Sequence, residues 1–104
     1  MQAIRLEPYE ILIIKKAFQT YFPSSDHLWV FGSRVHLDQK GGDIDLYIET
    51  QHKEATKIIE AKLDFLVELK KELGDQKIDV VIKMADHTDV PIYLIAKSEG
   101  VQLV

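Results

Sequence analysis

Two carboxylates placed two residues apart at the head of an apolar strand constrain this chain more than anything else in it. Between Leu28 and Glu49 the sequence runs LWVFGSRVHLDQKGGDIDLYIE: an apolar run, a Gly32-Ser33 break, a polar loop, and a second run opening with Asp43-Ile44-Asp45. In that second run Asp43, Asp45, Tyr47 and Glu49 alternate with Ile44, Leu46 and Ile48. Successive strand residues point to opposite faces, so the two carboxylates share a face roughly 7 Å apart. A fold that keeps them must cover the aliphatic face and leave the acidic one open. No Lys or Arg stands between them, and a divalent cation most readily holds such a pair together.

The remaining elements read as support for that strand. Residues 8–22 predict a helix, with Pro8 at its first position and Ile11, Ile14, Phe18 and Tyr21 on one side; Pro23 ends it. Leu28 to Phe31 is short and wholly apolar, which suits a buried strand. Residues 53–73 predict the longest helix, with Ala55, Ile59, Leu63, Leu66, Leu69 and Leu73 stepping by three or four toward a core and Gly74 as its stop. KIDVVIK, residues 77–83, predicts a third strand with Ile78, Val80 and Ile82 on one face and Asp79 on the other. A last helix is expected from about Val90 to Ser98, and the closing VQLV suits a short edge strand.

The order α-β-β-α-β-α-β implies an α/β (α+β) fold: a mixed sheet with helices packed on one face, in a single small domain over residues 1–104. Asp79 in an aliphatic strand is the most pointed feature after the Asp pair, because an unpaired buried carboxylate is costly. Its bland explanation is an ion pair with Lys77 or Arg34. If the second and third strands are neighbours, Asp43, Asp45 and Asp79 converge. Three hard oxygen donors suit Mg²⁺ or Mn²⁺, ions that take their remaining ligands from water and substrate phosphates. Gly32-Ser33 at a strand end lets phosphate approach the backbone. Tyr47 and Glu49 share the acidic face, where they either rim the site or, as most such residues do, only pack or face solvent; Trp29 is expected in the core.

FGSRVHLDQKGGDIDLYIE followed by IDVVI resembles the minimal nucleotidyltransferases of the DNA polymerase beta superfamily. Their pattern is Gly-Ser at a strand end, Asp-x-Asp about ten residues on, and a third Asp on a later strand. The resemblance spans residues 28–82. It implies that Gly32 and Ser33 meet the β- and γ-phosphates of a nucleoside triphosphate, expected to be ATP; Arg34 beside them is a candidate for the same triphosphate, with a solvated loop arginine the equal alternative. It further implies that Asp43, Asp45 and Asp79 hold two metal ions, with Asp79 helping to deprotonate an acceptor hydroxyl. The implied reaction is transfer of a nucleoside monophosphate with release of pyrophosphate. Small stand-alone members resemble the antitoxin half of HEPN/minimal-nucleotidyltransferase pairs, in which a tyrosine of the HEPN-type toxin receives AMP. Many of them continue Gly-Ser-x-Ala-Arg-Gly, where this chain has Arg34-Val35-His36-Leu37 after Gly32-Ser33, and carry Ser where it has Gly42.

Composition sets the outer limits. At 104 residues the chain supports one core, and its shortness suggests that a partner protein or a homo-oligomer completes the site. A net charge of −4 argues against an extended nucleic-acid surface. The absence of cysteine removes thiolate chemistry. No apolar run approaches the ~18 residues of a membrane span and the start lacks a secretory pattern, so no membrane association and a cytoplasmic setting are expected. Two further functional classes remain beside the metal-dependent transferase. One is a catalytically weak or inactive module of the same fold that neutralises a partner by contact alone. The other is a sugar-nucleotide transferase, which leaves Gly32-Ser33 and Asp79 without a role.

Overall fold

Pro8, whose missing N–H costs nothing in a first helical turn, opens α1 (Pro8–Tyr21). The computed structural model describes residues 4–36, 42–85 and 88–104. The further elements are β1 (His27–Phe31), a 3₁₀ turn (Gly32–Val35), β2 (Ile44–Thr50), α2 (Ala55–Leu73), β3 (Ile78–Met84), α3 (Pro91–Glu99) and β4 (Val101–Gln102). Every expected element is present, with ends shifted by a residue or two.

The strands form one mixed sheet in the order β3-β2-β1-β4. β1 runs antiparallel to β2 and β4, while β2 and β3 run parallel, with α2 as the crossover between them. VQLV does form an edge strand, tied to β1 through Leu103 N–H donating to the Leu28 carbonyl at 2.8 Å.

Leu28 and Val30, Ile44, Leu46 and Ile48, and Ile78 and Val80 place the even-numbered positions of three strands on one face. α1 and α2 cover them with Ile14, Phe18, Phe65 and Leu69. Phe18 stacks on Phe22 with centroids 5.0 Å apart, and Phe65 meets both rings edge-on, at 6.3 and 5.8 Å. Edge-to-face pairs of this kind add to the stabilisation from burial alone.

α2 corrects one expectation in part: Leu66, Leu69 and Leu73 face the core as expected, but the first half of the predicted stripe does not. α2 buries Ile58, Ala61, Phe65 and Leu69, while Ile59 and Leu63 lie more than half exposed and Ala55 is exposed. The helix carries two apolar stripes about 100° apart and can turn only one inward. Turning Ile59 and Leu63 in would expose Phe65, the ring that interlocks with Phe18 and Phe22.

α3 corrects a second. The helices do not all pack on one face: α3 lies on the opposite face, where Ala96 and Tyr93 meet Trp29, Phe31, Tyr47 and Val81. On that face the Trp29–Tyr47–Val81 row lies between the Phe31–Asp45–Asp79 row at one end and the His27–Glu49–Lys83 row at the other. That apolar middle row needs a cover, and α3 supplies it, while Asp79 stays exposed.

Candidate active site

Parallel pairing brings Asp45 and Asp79 into register as direct cross-strand partners. Partners on neighbouring strands stand ~4.8 Å apart. One step outside each strand, Asp43 and Lys77 repeat the arrangement: the Ile44 N–H donates to the Lys77 carbonyl at 3.0 Å, and Lys77 Nζ lies 3.5 Å from Asp43 Oδ2. Residues 43, 45, 77 and 79 share the parity that faces away from the aliphatic core. The sequence-predicted triad is therefore assembled on one patch by two strands that the sequence separates by more than twenty residues.

The carboxylates stand close enough to repel one another. Burial holds the Asp45 carboxyl above the usual carboxylate range, and the charges of Asp79 and then Asp43 push it further up; Lys77 pulls it partly back. Asp79 itself is exposed, because the strand turns Ile78, Val80 and Ile82 toward the core and Asp79 away from it. Its presence in an aliphatic strand thus carries no burial penalty, contrary to the expectation from sequence. The Lys77 ion pair forms with Asp43 and not with Asp79.

The loop beside the carboxylates is shaped by two glycines. Phe31 pairs with Asp45, and the next residue, Gly32, takes φ 72°, a conformation that glycine adopts freely. A Cβ on Gly32 would overlap Asp45 Oδ2, so the carboxylate rests directly on the glycine backbone. Gly42, at φ 91°, gives the Ser33 hydroxyl the same clearance, and that hydroxyl donates to the Asp43 carbonyl at 3.4 Å. Gly32-Ser33 and Gly42-Asp43 interlock. Leu37 and Gly41, the other notable positions of this loop, lie outside the described residues.

Arg34 is committed to the same loop. Its Nη1 donates to the Arg5 carbonyl at 2.9 Å, and its Nη2 to the Gly42 carbonyl at 3.2 Å and Gln76 Oε1 at 3.3 Å. Arg5 returns the clasp, donating from Nη2 to the Ser33 carbonyl at 2.7 Å and from Nε to the His36 carbonyl at 2.9 Å. Gln76 continues it to the buried carboxylate of Glu10 at 2.8 Å, which also caps the Glu7 N–H at 2.9 Å. Arg5, Glu10 and Gln76 were invisible to sequence reasoning, since they follow no period and their contacts span up to 66 residues.

Tyr47 and Glu49 do not rim the site. Tyr47 is fully buried; its hydroxyl donates to Glu49 Oε2 at 2.7 Å, and its ring packs between Trp29 and Tyr93 at 5.3 and 5.6 Å. Burial, then the Glu49 carboxylate, raise the phenol's pKa, so it stays protonated. Trp29 is core, as expected.

Among the described residues no three His, Asp or Glu side chains already stand at metal-ligand spacing. The donor chemistry nonetheless fits a hard divalent cation. Three carboxylates share one face, Asp45 is held above its ordinary pKa by burial and then by its acidic neighbours, and among the described residues one ammonium is paired with them. Asp43 and Asp79 are exposed enough to turn toward a shared ion.

Residues 11–99 match the profile of the family described as a nucleotidyltransferase domain. The chain belongs to that family. The match takes in Gly32-Ser33, Asp43, Asp45 and Asp79, the residues that carried the resemblance in the sequence. No curated protein matches this nucleotidyltransferase domain closely enough to add to that. Among solved structures, it shares its fold with a chain of the complex between tri-AMPylated Shewanella oneidensis HEPN toxin and MNT antitoxin. That match has a TM-score of 0.68 at 18% identity and covers 95% of this chain and 72% of the other. Among the described residues, no helix of the domain is long and apolar enough to cross a membrane.

Proposed function

We propose that the acidic face is the catalytic centre of an NTP-dependent nucleotidyltransferase, and that a divalent cation, Mg²⁺ or Mn²⁺, works there with ATP. The observation that carries this is the register of Asp45 and Asp79 on parallel strands, with Gly32-Ser33 laid against Asp45. Asp43, Asp45 and Asp79 hold the cation, which when bound neutralises charge developing on the phosphates and on the attacking oxygen. Gly32 and Ser33 offer backbone and hydroxyl to the β- and γ-phosphates. Arg34 acts as the clasp that keeps this loop in place. An acceptor hydroxyl attacks the α-phosphorus; a new phosphorus–oxygen bond forms as the bond to the bridging α,β-oxygen breaks. Pyrophosphate leaves with that electron pair, and the hydroxyl proton passes to Asp79.

The acceptor we propose is a tyrosine on a HEPN-type toxin, with the chain acting as its antitoxin in the cytoplasm. The fold shared with the chain of an AMPylated HEPN–MNT complex supports that partner. Incubation with radiolabelled ATP, Mg²⁺ and a HEPN-type partner should label the partner. Asp79→Asn should abolish labelling and leave the circular dichroism spectrum and melting temperature within a few degrees of wild type. Full-rate transfer by Asp79→Asn refutes the assignment. Neutralisation of the partner by a triple Asp43, Asp45 and Asp79 to Asn variant would favour action by contact alone.

A further inference from the structure

Lys77 has no place in the motif, yet it sits on it. Its carbonyl is pinned by the Ile44 N–H at 3.0 Å, which fixes the residue at the head of β3 beside Asp43. From there its ammonium reaches Asp43 Oδ2 at 3.5 Å on a side chain 70% exposed. Among the described residues no other Lys or Arg is ion-paired with Asp43, Asp45 or Asp79. Arg34, the cation among the loop's described residues, is committed to carbonyls and to Gln76. Three carboxylates therefore share one tethered positive charge.

We infer that Lys77 is a built-in counter-cation, which a divalent ion displaces from Asp43 and which then turns its ammonium to the phosphates of the incoming nucleotide. The inference rests on the acidic face being the metal centre. A lysine suits both positions because it is a compact point charge on a flexible stem, not a planar fork bound to one geometry. Its pairing is strong enough to shield the carboxylates and, being exposed, weak enough to give way. A divalent ion brings two charges to three carboxylates at once, so it wins the exchange. The freed ammonium remains on the face where the polyphosphate must lie, because residues 77 and 79 have the same parity.

The two positions make opposite predictions for one substitution. Mn²⁺ alone, followed by electron paramagnetic resonance, should bind Lys77→Gln about two- to five-fold more tightly than wild type, the range an exposed ion pair supports. A non-hydrolysable ATP analogue at saturating Mg²⁺ should bind the same variant more weakly, by a similar factor. Lys77→Arg should retain the weaker metal binding of wild type. Asp45→Asn should lose metal binding in every background. Equal Mn²⁺ affinity in wild type and Lys77→Gln overturns the inference while leaving the metal centre intact. Weaker binding of both metal and nucleotide assigns Lys77 a merely structural role and also overturns it. Tighter binding of both refutes the contact with phosphate. Absence of Mn²⁺ binding in wild type and Lys77→Gln alike removes the metal centre itself; binding by the variant alone supports the shield.

Discussion

Replacing Asp45 by Asn removes one charge from the acidic face and changes the side chain's shape very little. Asp45 faces Asp79 directly across β2 and β3, and both it and Asp43 lie on the same open patch. At a cross-strand spacing of ~5 Å and an effective dielectric of about 40–80, the Asp45–Asp79 repulsion is ~1–2 kcal/mol. Solvent screening and the opposing pull of Lys77 bring the net gain on neutralisation to ~1 kcal/mol. For a domain of this size that raises the melting temperature by roughly 4–8 °C in the absence of divalent metal. The sign with pH follows from the raised pKa. A carboxyl whose pKa is higher folded than unfolded favours the fold while protonated, and that contribution is lost as pH rises through the folded value. Wild type should therefore lose stability from mildly acidic to neutral pH relative to Asp45→Asn. Mg²⁺ at ten times its dissociation constant should restore ~1.4 kcal/mol to wild type and nothing to the variant. Differential scanning fluorimetry from pH 4 to 8, with Mg²⁺ or EDTA, reads all three effects. A metal-free Asp45→Asn that melts at or below wild type throughout that range refutes the like-charge account.

Gly32→Ala forces a side chain onto φ 72° and into the Asp45 carboxylate. It should cost about 1–3 kcal/mol by urea denaturation and weaken nucleotide binding, and wild-type stability would show that the loop relaxes freely. The orientation of α2 is tested by a pair of truncations. Phe65→Ala, at a fully buried ring against Phe18 and Phe22, should lose ~3–5 kcal/mol, whereas Leu63→Ala, at 57% exposure, should stay within ~0.5 kcal/mol. The reverse order in chemical denaturation would reinstate the other apolar stripe as the core face.

The element order, the Gly-Ser break and the three aspartates are legible in the chain because strand alternation and helix stops are local. Alternation over Asp43–Glu49 and Ile78–Ile82 determines which residues share a face, whatever the strands pair with. The inward stripe of α2 was legible only in its second half, where Leu66, Leu69 and Leu73 turn in as expected. Ile59/Leu63 and Ile58/Phe65/Leu69 are both apolar at helical spacing, and only the rings of Phe18 and Phe22 decide between them. Nor was the cover over the aromatic middle of the acidic face legible. For Tyr47 the sequence leaves rim and packing both open, and only α3, which brings Tyr93 and Ala96 beside Trp29 and Tyr47, decides for packing.

By itself, then, the sequence determined the chemistry available: three carboxylates, a glycine-serine turn, and strands amphipathic enough to segregate acid from aliphatic. The tertiary structure decided how that chemistry is arranged. Parallel pairing of β2 with β3 sets Asp45 against Asp79 and leaves Asp79 exposed. The Arg5–Arg34–Gln76–Glu10 clasp holds the loop from positions far apart in the chain. The physical reason is range: periodicity and turn chemistry act over a few residues, whereas register, repulsion between strands and long-range hydrogen bonds exist only once the chain has folded.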